Sequence, residues 1–426
     1  MRKTLSILLL LALALGMAGG AAAETKTSLR VVLIGGYLYE DNTNAINGKA
    51  QLGVHVLEEM FEEQNPAIDL ELIIMGWDDY QKKTQTMIMG NEADVFLAPG
   101  IALMGDLLED LTPYIERDSF DTSVFLDGQM LGWQAQGSFD AEPKQYGWPF
   151  QGDTRVILYD KQIFDEWKVE YLSEHPTWDE ILTKAAAMTG VNPVSGLQNY
   201  GTTLSGADAI VQIAESMGMP WGEGFAMGEL TFNWNTPEYV KASELMLKLY
   251  ALGMVGGSTN FGQADNSQAI ELRSGSWNWF NCAQRGLGDR YGVALMPVNP
   301  NTGKSGMFAG GPLVISRNSQ AKDAAWEFLK FAVSEDTQKF INENVYGEAM
   351  PVIKAAAKWE AFTVPQAALV LKAMTESTTP RWIYRAESVY KGALDNAASS
   401  ILNGAGIQAA LDAAVEEANN HREELQ

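Results

Sequence analysis

The chain has 426 residues, a formal net charge of −24 and a single cysteine, Cys282. One cysteine excludes an internal disulfide, so stability must come from a hydrophobic core. So acidic a surface repels nucleic acid and anionic lipid headgroups and disfavours a free anionic ligand, whereas neutral or cationic ligands fit it better.

In chain order, residues 1–23 read as an export signal. Arg2 and Lys3 form a positive start, an apolar run follows, and small residues precede Glu24. The apolar run is short for a membrane span, which needs about 20 residues. No cysteine stands at the cleavage site for lipid attachment, so the expected product is soluble and exported, most simply to the periplasm. The rest is long enough for two domains. "LRVVLIGG" (29–36) predicts a buried strand ending in a glycine turn. Ala50, Val54, Leu57, Met60 and Phe61 have helical spacing, which predicts a helix from Gly48 to Gln64, closed by Asn65-Pro66. "AIDLELIIM" (67–75) alternates as a strand does, and "ADVFLAP" (93–99) is a further short strand. Strand, helix and strand at this spacing predict a right-handed crossover and a mainly parallel sheet. Ligands of such sheets sit beyond the carboxyl ends of the strands. That places Gly35 to Asp41, Trp77 and Pro99-Gly100 on the functional edge.

Later elements carry clearer punctuation. "PTWDEILTKAAAMTG" (176–190) opens with a capping box, Thr177 as cap and Glu180 returning the bond. Residues 319–334 place Ala324, Ala325, Phe328, Leu329 and Ala332 on one helical face, and Ser334 caps a further helix with acids in its first turn. Residues 406–420 read as a final amphipathic helix. His55, His175 and His421 are scattered, and no zinc pair, phosphate loop or nucleophile elbow is present, so neither a cofactor nor a metal is expected. "DNTNAINGK" (41–49) is rich in oxygen ligands but lacks EF-hand spacing, so a plain loop or a ligand contact is the better reading.

Four stretches carry a family resemblance. They are "MGDLLEDLTPYIERD" (104–118), "GWPFQGDTRVILYDKQIFDE" (147–166), "PTWDEIL" (176–182) and "GGPLVISRNSQAKDAAWEFLKFAVSEDTQKF" (310–340). In content and order the chain resembles the family 1 extracellular solute-binding proteins, the sugar-capturing components of ABC importers. The resemblance implies an α/β, two-lobe periplasmic-binding-protein-like fold of type II, with a ligand cleft between lobes joined by hinge crossovers. It implies a first lobe of residues 24–153 plus 307–349 and a second of 154–306 plus 350–426. It also implies a carbohydrate ligand, ABC permease subunits as partners and no catalysis. A free monomer is the expected state.

Indole planes cover the C–H faces of a sugar, and carboxylates, amides and guanidinium groups meet its hydroxyls. "SGSWNWF" (274–280), read as a strand, puts Trp277 and Trp279 on one face as platforms. By resemblance Trp382 is a stacking aromatic, with Arg381 beside it as a donor, and Asp153 is a sugar-binding carboxylate with Gln151 as its neighbour. Tyr37, Glu40, Asp41 and Trp77 follow the first strands. Trp148 and Trp221, the latter paired with Trp234 in Gly-rich surroundings, are further aromatic candidates, and Gly311 could let a ligand approach the backbone. Trp178, Trp326 and Trp359 are expected to pack in the interior. Two rival readings remain open: the same fold holding a cationic ligand, a polyamine or peptide, and a secreted glycoside hydrolase, which would need two suitably spaced carboxylates.

Overall fold

The structure, a computed structural model, describes residues 25–424 apart from 102–103, 136, 138–139, 141, 224–230, 255–258, 306–308, 348–349 and 378–386. The export signal, Arg381 and Trp382 therefore lie outside the described residues.

Two five-stranded sheets organise the chain. In chain order the strands used here are β1 (Thr27–Ile34), β2 (Ile68–Met75), β3 (Val95–Leu97), β4 (Trp148–Asp153), β5 (Arg155–Asp160), β6 (Gly190–Val191), β7 (Gln198–Thr203), β8 (Gln268–Gly275), β9 (Tyr291–Ala294) and β10 (Ala309–Ile315). The first sheet has the order β2-β1-β3-β10-β4 and the second β6-β7-β8-β5-β9. β1 runs parallel to β2 from Thr27↔Ile68 to Ile34↔Met75, and parallel to β3 at Val31↔Val95. The alternation in "IDLELIIM" matches its burial, with Ile68, Leu70 and Leu72 inward and Asp69 and Glu71 outward.

The mainly parallel expectation needs correction. β10 pairs antiparallel with both β3 and β4. The reason is the route of the chain. β4 leaves the first sheet at Asp153 and β5 enters the second at Arg155. The chain re-enters the first sheet at Ala309, from the edge where β1 and β3 end, so β10 must run back away from that edge. The second sheet is mixed as well, with β7 parallel to β8, and β5 antiparallel to β8 and β9.

The helix predicted from Gly48 begins later, as α1 (His55–Gln64), and Ala50 lies in a two-residue strand instead. Gly53 explains the delay. A Cβ there would lie 2.0 Å from the Tyr39 carbonyl oxygen, and its N–H donates to Asp41 Oδ1 at 2.9 Å. The chain is folded tightly onto the 39–41 loop until that point. Helix α2 (Trp178–Ala187) has Thr177 as its cap, accepting from the Glu180 N–H at 3.1 Å. The reciprocal half of the capping box is absent, because the Glu180 carboxylate accepts from Ser173 N and Oγ and from Lys184.

Helix α3 (Asn278–Gln284) follows β8, and α4 (Lys322–Ala332) and α5 (Glu335–Phe340) follow β10. Ser334 caps α5 as expected, accepting from the Thr337 N–H. The final helix spans Ile407–Glu424. Under the first sheet, Trp148, Trp326, Phe120 and Phe125 meet edge to face, with Trp148 and Trp326 centroids 4.9 Å apart. Burying such aromatics is worth several kcal/mol each on an order-of-magnitude scale. Trp178, Trp326 and Trp359 are buried, as the sequence led one to expect.

Candidate functional site

The route of the chain dictates where a site can form. β1, β2, β3 and β4 all end at one edge of the first sheet, and β10 begins there. β5 begins and β8 ends at the facing edge of the second. At this junction lies a cavity of about 450 Å³. The first sheet gives it Trp77, Leu97, Pro99 and the Gln151–Asp153 strand end. β10 gives Ala309, Gly310 and Gly311, the second sheet gives Arg155 and Trp277, and Tyr346 closes one side. A larger depression of about 800 Å³ lies at the other end of β1, around Thr27, Arg117, Arg317 and Lys322. It takes no residue from the second sheet, and Arg117 and Lys322 are already paired with acids there. The smaller junction cavity is therefore the better candidate for a ligand that both halves can touch.

Two glycines shape its walls. Gly310 has φ of +132°, and a Cβ on it would lie 2.4 Å from the Gln151 carbonyl oxygen on the paired strand. Gly35, with φ of +114°, lies under the indole of Trp77, with 3.2 Å from a would-be Cβ to the ring. Trp77 is 49% exposed and meets Tyr80 edge to face at 5.3 Å, so much of its surface is open to a ligand.

Polar groups where the two sheets meet are closely engaged. Asp153 Oδ1 accepts from Thr154 N at 2.8 Å and from Ser276 N and Oγ at 3.3 and 2.6 Å. Its Oδ2 accepts from Arg155 Nη1, which also donates to the Thr154 carbonyl at 3.1 Å. The Arg155 guanidinium lies over the Trp277 ring, 5.4 Å from its centroid. On the first side, Tyr37 donates to Gln151 Oε1 at 3.3 Å and meets Tyr346 edge to face at 4.9 Å. Burial pushes the Tyr37 phenol far above its ordinary value, so it stays a neutral donor.

Of the residues expected from sequence, Trp77, Gln151, Asp153, Trp277 and Gly311 come together here. The others need correction. Trp277 and Trp279 do not share a strand face: β8 ends at Gly275, Trp277 caps α3, and Trp279 lies inside it. Trp279 is buried, its Nε1 donating to the Tyr291 carbonyl at 3.1 Å. Trp148 is wholly buried, with Nε1 on the Leu329 carbonyl at 3.0 Å. Trp221 is buried and stacks on Trp234 at 6.3 Å. In all three, the apolar surface of the indole is covered by neighbouring core residues, and a ligand cannot reach it. Tyr37 is buried beneath the cavity and supports Gln151 and Tyr346 from below. Glu40 is exposed outside the lining, and Asp41 holds the Gly53 turn and faces His55 at 3.8 Å.

Arg155 and Tyr346 were missed. Arg155 had a signal, since it stands two residues beyond Asp153 at strand period, on the same side. Tyr346 had none, because it reaches the site from a turn some two hundred residues away in sequence.

Two α/β lobes with crossing strands and a cavity at their junction make up the type II periplasmic-binding-protein fold. Residues 44–339 match the bacterial extracellular solute-binding protein family, and the chain belongs to it. A Brucella abortus protein named only as a binding protein is 24% identical over 326 residues, covering 71% of this chain and 73% of its own. Among solved structures, the sugar-binding protein MalE of Xanthomonas citri is similar at a TM-score of 0.74 and 19% identity, over 94% of this chain and 98% of its own. An ABC substrate-binding protein of Listeria monocytogenes in complex with cycloalternan is similar at 0.69 and 20%, over 93% and 99%. A solute-binding protein of Agrobacterium vitis with bound D-mannitol gives 0.67 and 18%, over 94% and 99%. Among the described residues, no helix is long and apolar enough to cross a membrane.

Proposed function

We propose that this chain captures an uncharged carbohydrate or polyol in the junction cavity and delivers it, unaltered, to the permease of an ABC importer. The observation that carries the reading is the lining: one cavity drawn from both sheets, with an open indole at Trp77, the neutral polar groups of Gln151 and Tyr346, and an Asp153–Arg155 pair without net charge. A ligand that touches both halves favours a closed form by its differential affinity for that form. We take the lobes to be residues 24–153 plus 307–349 and 154–306 plus 350–426, the working location to be the periplasm after removal of residues 1–23, and the active species to be a monomer. The similar proteins, one named as sugar-binding and two in complex with cycloalternan or D-mannitol, support the substrate class.

Charge argues against the rival readings. Among the described lining residues Asp153 is the one carboxylate, and Arg155 neutralises it. A polyamine would find no free acid there, and a glycoside hydrolase needs two carboxyl groups across the bond. The test is a thermal-shift panel of neutral mono- and disaccharides, polyols, spermidine and basic peptides. A ligand at 100 times its Kd adds about 2.7 kcal/mol. A neutral sugar or polyol should raise Tm, and a shift confined to spermidine or peptides would overturn the carbohydrate reading.

A further inference from the structure

The cleft contains a division of labour that the family resemblance does not suggest. By resemblance Asp153 is the carboxylate that accepts sugar hydroxyls. Its two oxygens already accept four hydrogen bonds, three on Oδ1 and one on Oδ2. A carboxylate offers about four lone-pair sites in all. Three donors saturate Oδ1, so an incoming hydroxyl has only the remaining site on Oδ2, which it would share with Arg155 Nη1. Two of these donors, the Thr154 and Ser276 N–H groups, belong to the backbone and cannot swing aside. Ser276 itself is fully buried.

Arg155 is in the opposite position. Only Nη1 is engaged, by Asp153 and the Thr154 carbonyl. Its Nε and Nη2 make no hydrogen bond among the described residues. The side chain lines the cavity, is one-fifth exposed, and has its guanidinium carbon over the Trp277 ring, 5.4 Å from the centroid. A planar fork held between a carboxylate and an indole face has lost most of its rotamer freedom before any ligand arrives. Trp277 is then the floor for Arg155 on that face, and Trp77, across the cavity, is the open aromatic surface.

We propose that Arg155 is the specificity-determining donor of this site, that Asp153 is its positioning residue, and that the neutral Asp153–Arg155 pair selects uncharged, oxygen-rich ligands. The inference rests on the carbohydrate reading and deepens it. An unpaired arginine here would draw carboxylates, and an unpaired aspartate would draw amines. Paired, they leave a polarised N–H fork that suits vicinal hydroxyl oxygens at no net charge.

The test compares the full chain with Arg155→Met, Arg155→Lys and Asp153→Asn by calorimetric titration. The probes are the neutral sugars and polyols of the panel above, with glucuronate as the acidic counterpart. The wild-type chain should bind a neutral probe and not glucuronate. Arg155→Met should weaken the neutral probe about 30-fold. Arg155→Lys keeps a partner for Asp153 but loses the fork, and should weaken it about 10-fold; it decides the matter if the methionine variant fails to fold. Asp153→Asn should weaken the neutral probe only several-fold and gain measurable glucuronate binding that declines with added salt, a readout that a merely structural role would not produce. Wild-type affinity in both arginine variants would overturn the inference and leave the carbohydrate reading standing. So would complete loss of neutral binding in Asp153→Asn with no gain of glucuronate. If the wild type binds no neutral probe and takes spermidine instead, the carbohydrate reading fails, and this inference falls with it.

Discussion

Replacing Gly310 by alanine tests whether the cavity wall is set by the route of the backbone. Two costs add at this position. At φ of +132° an L-residue is in a region that glycine alone adopts readily, at about 1–3 kcal/mol. The new Cβ would also lie 2.4 Å from the Gln151 carbonyl oxygen and 3.2 Å from the Asp153 nitrogen. Both are backbone atoms of the paired strand, so β4 and β10 must separate locally, at about another 1–3 kcal/mol on the scale of overpacked cores. The expected total is about 4 kcal/mol. Gly303 supplies the control. It too has positive φ, at +67°, but a Cβ there meets nothing within 4 Å. Gly303→Ala should cost only the left-handed backbone penalty, about 1–2 kcal/mol. Urea unfolding followed by near-UV circular dichroism separates the two variants by midpoint at constant slope. Gly310→Ala should also weaken ligand binding, since Gln151 and Asp153 share the displaced strand. Equal midpoints for the two variants would refute the reasoning.

Three further outcomes follow from the same structure. Burial raises the Glu271 carboxyl above its ordinary value, against the pull of Ser274 Oγ and Asn278 Nδ2. The native state then holds its proton to higher pH than the unfolded state, and the stability this gives is present below the ordinary carboxylate value and lost as pH rises through the native one. Glu271→Gln should therefore gain stability relative to wild type at pH 8 compared with pH 4, and a pH-independent difference in urea midpoints would contradict this. Burial pushes the Cys282 thiol up to about 12, so the folded chain should leave Ellman's reagent unreacted at pH 8 while the urea-unfolded chain reacts fully. Rapid reaction of the folded chain would mean the α3 region opens readily. Thr177→Ala removes the one side-chain cap of α2 and should cost about 1 kcal/mol, whereas Thr177→Ser should restore most of it in the same unfolding assay.

Much of the fold was legible where local chemistry and tertiary packing agree. The β1 and β2 strands, the Thr177 and Ser334 caps and the buried face of the 322–332 helix all satisfy their sequence pattern within a few residues of themselves. The route of the chain was not legible in this way. β10 runs antiparallel because of where the second sheet returns the chain, and no window around residues 309–315 contains that information. The site divides along the same line. Trp77 follows the end of β2, where such a sheet places its ligands, and could be read from position, whereas Gln151, inside β4, came only as the neighbour of Asp153 through the family resemblance. Trp148, Trp221 and Trp279 have the same residue type but bury their rings, and only the packing of distant helices and strands distinguishes them. The glycine of "SGSWNWF" ends the strand two residues before the first tryptophan, which turned an expected pair of platforms into one wall residue and one core residue. The period-two spacing that joins Asp153 and Arg155 is present in "GDTR", but spacing alone does not show that the guanidinium reaches the cavity.

The central claim is that an uncharged, hydroxyl-rich ligand lies between the two sheets against Trp77 and the Arg155 fork. The most direct measurement is a crystal structure of the full chain with the neutral sugar or polyol that raises its Tm. The ligand should lie in the junction cavity, with carbon atoms within about 4 Å of the Trp77 ring, the contact range of apolar groups, and an oxygen within hydrogen-bonding distance of Arg155 Nε or Nη2. A ligand seated elsewhere, with Trp77 and Arg155 both untouched, would contradict the account.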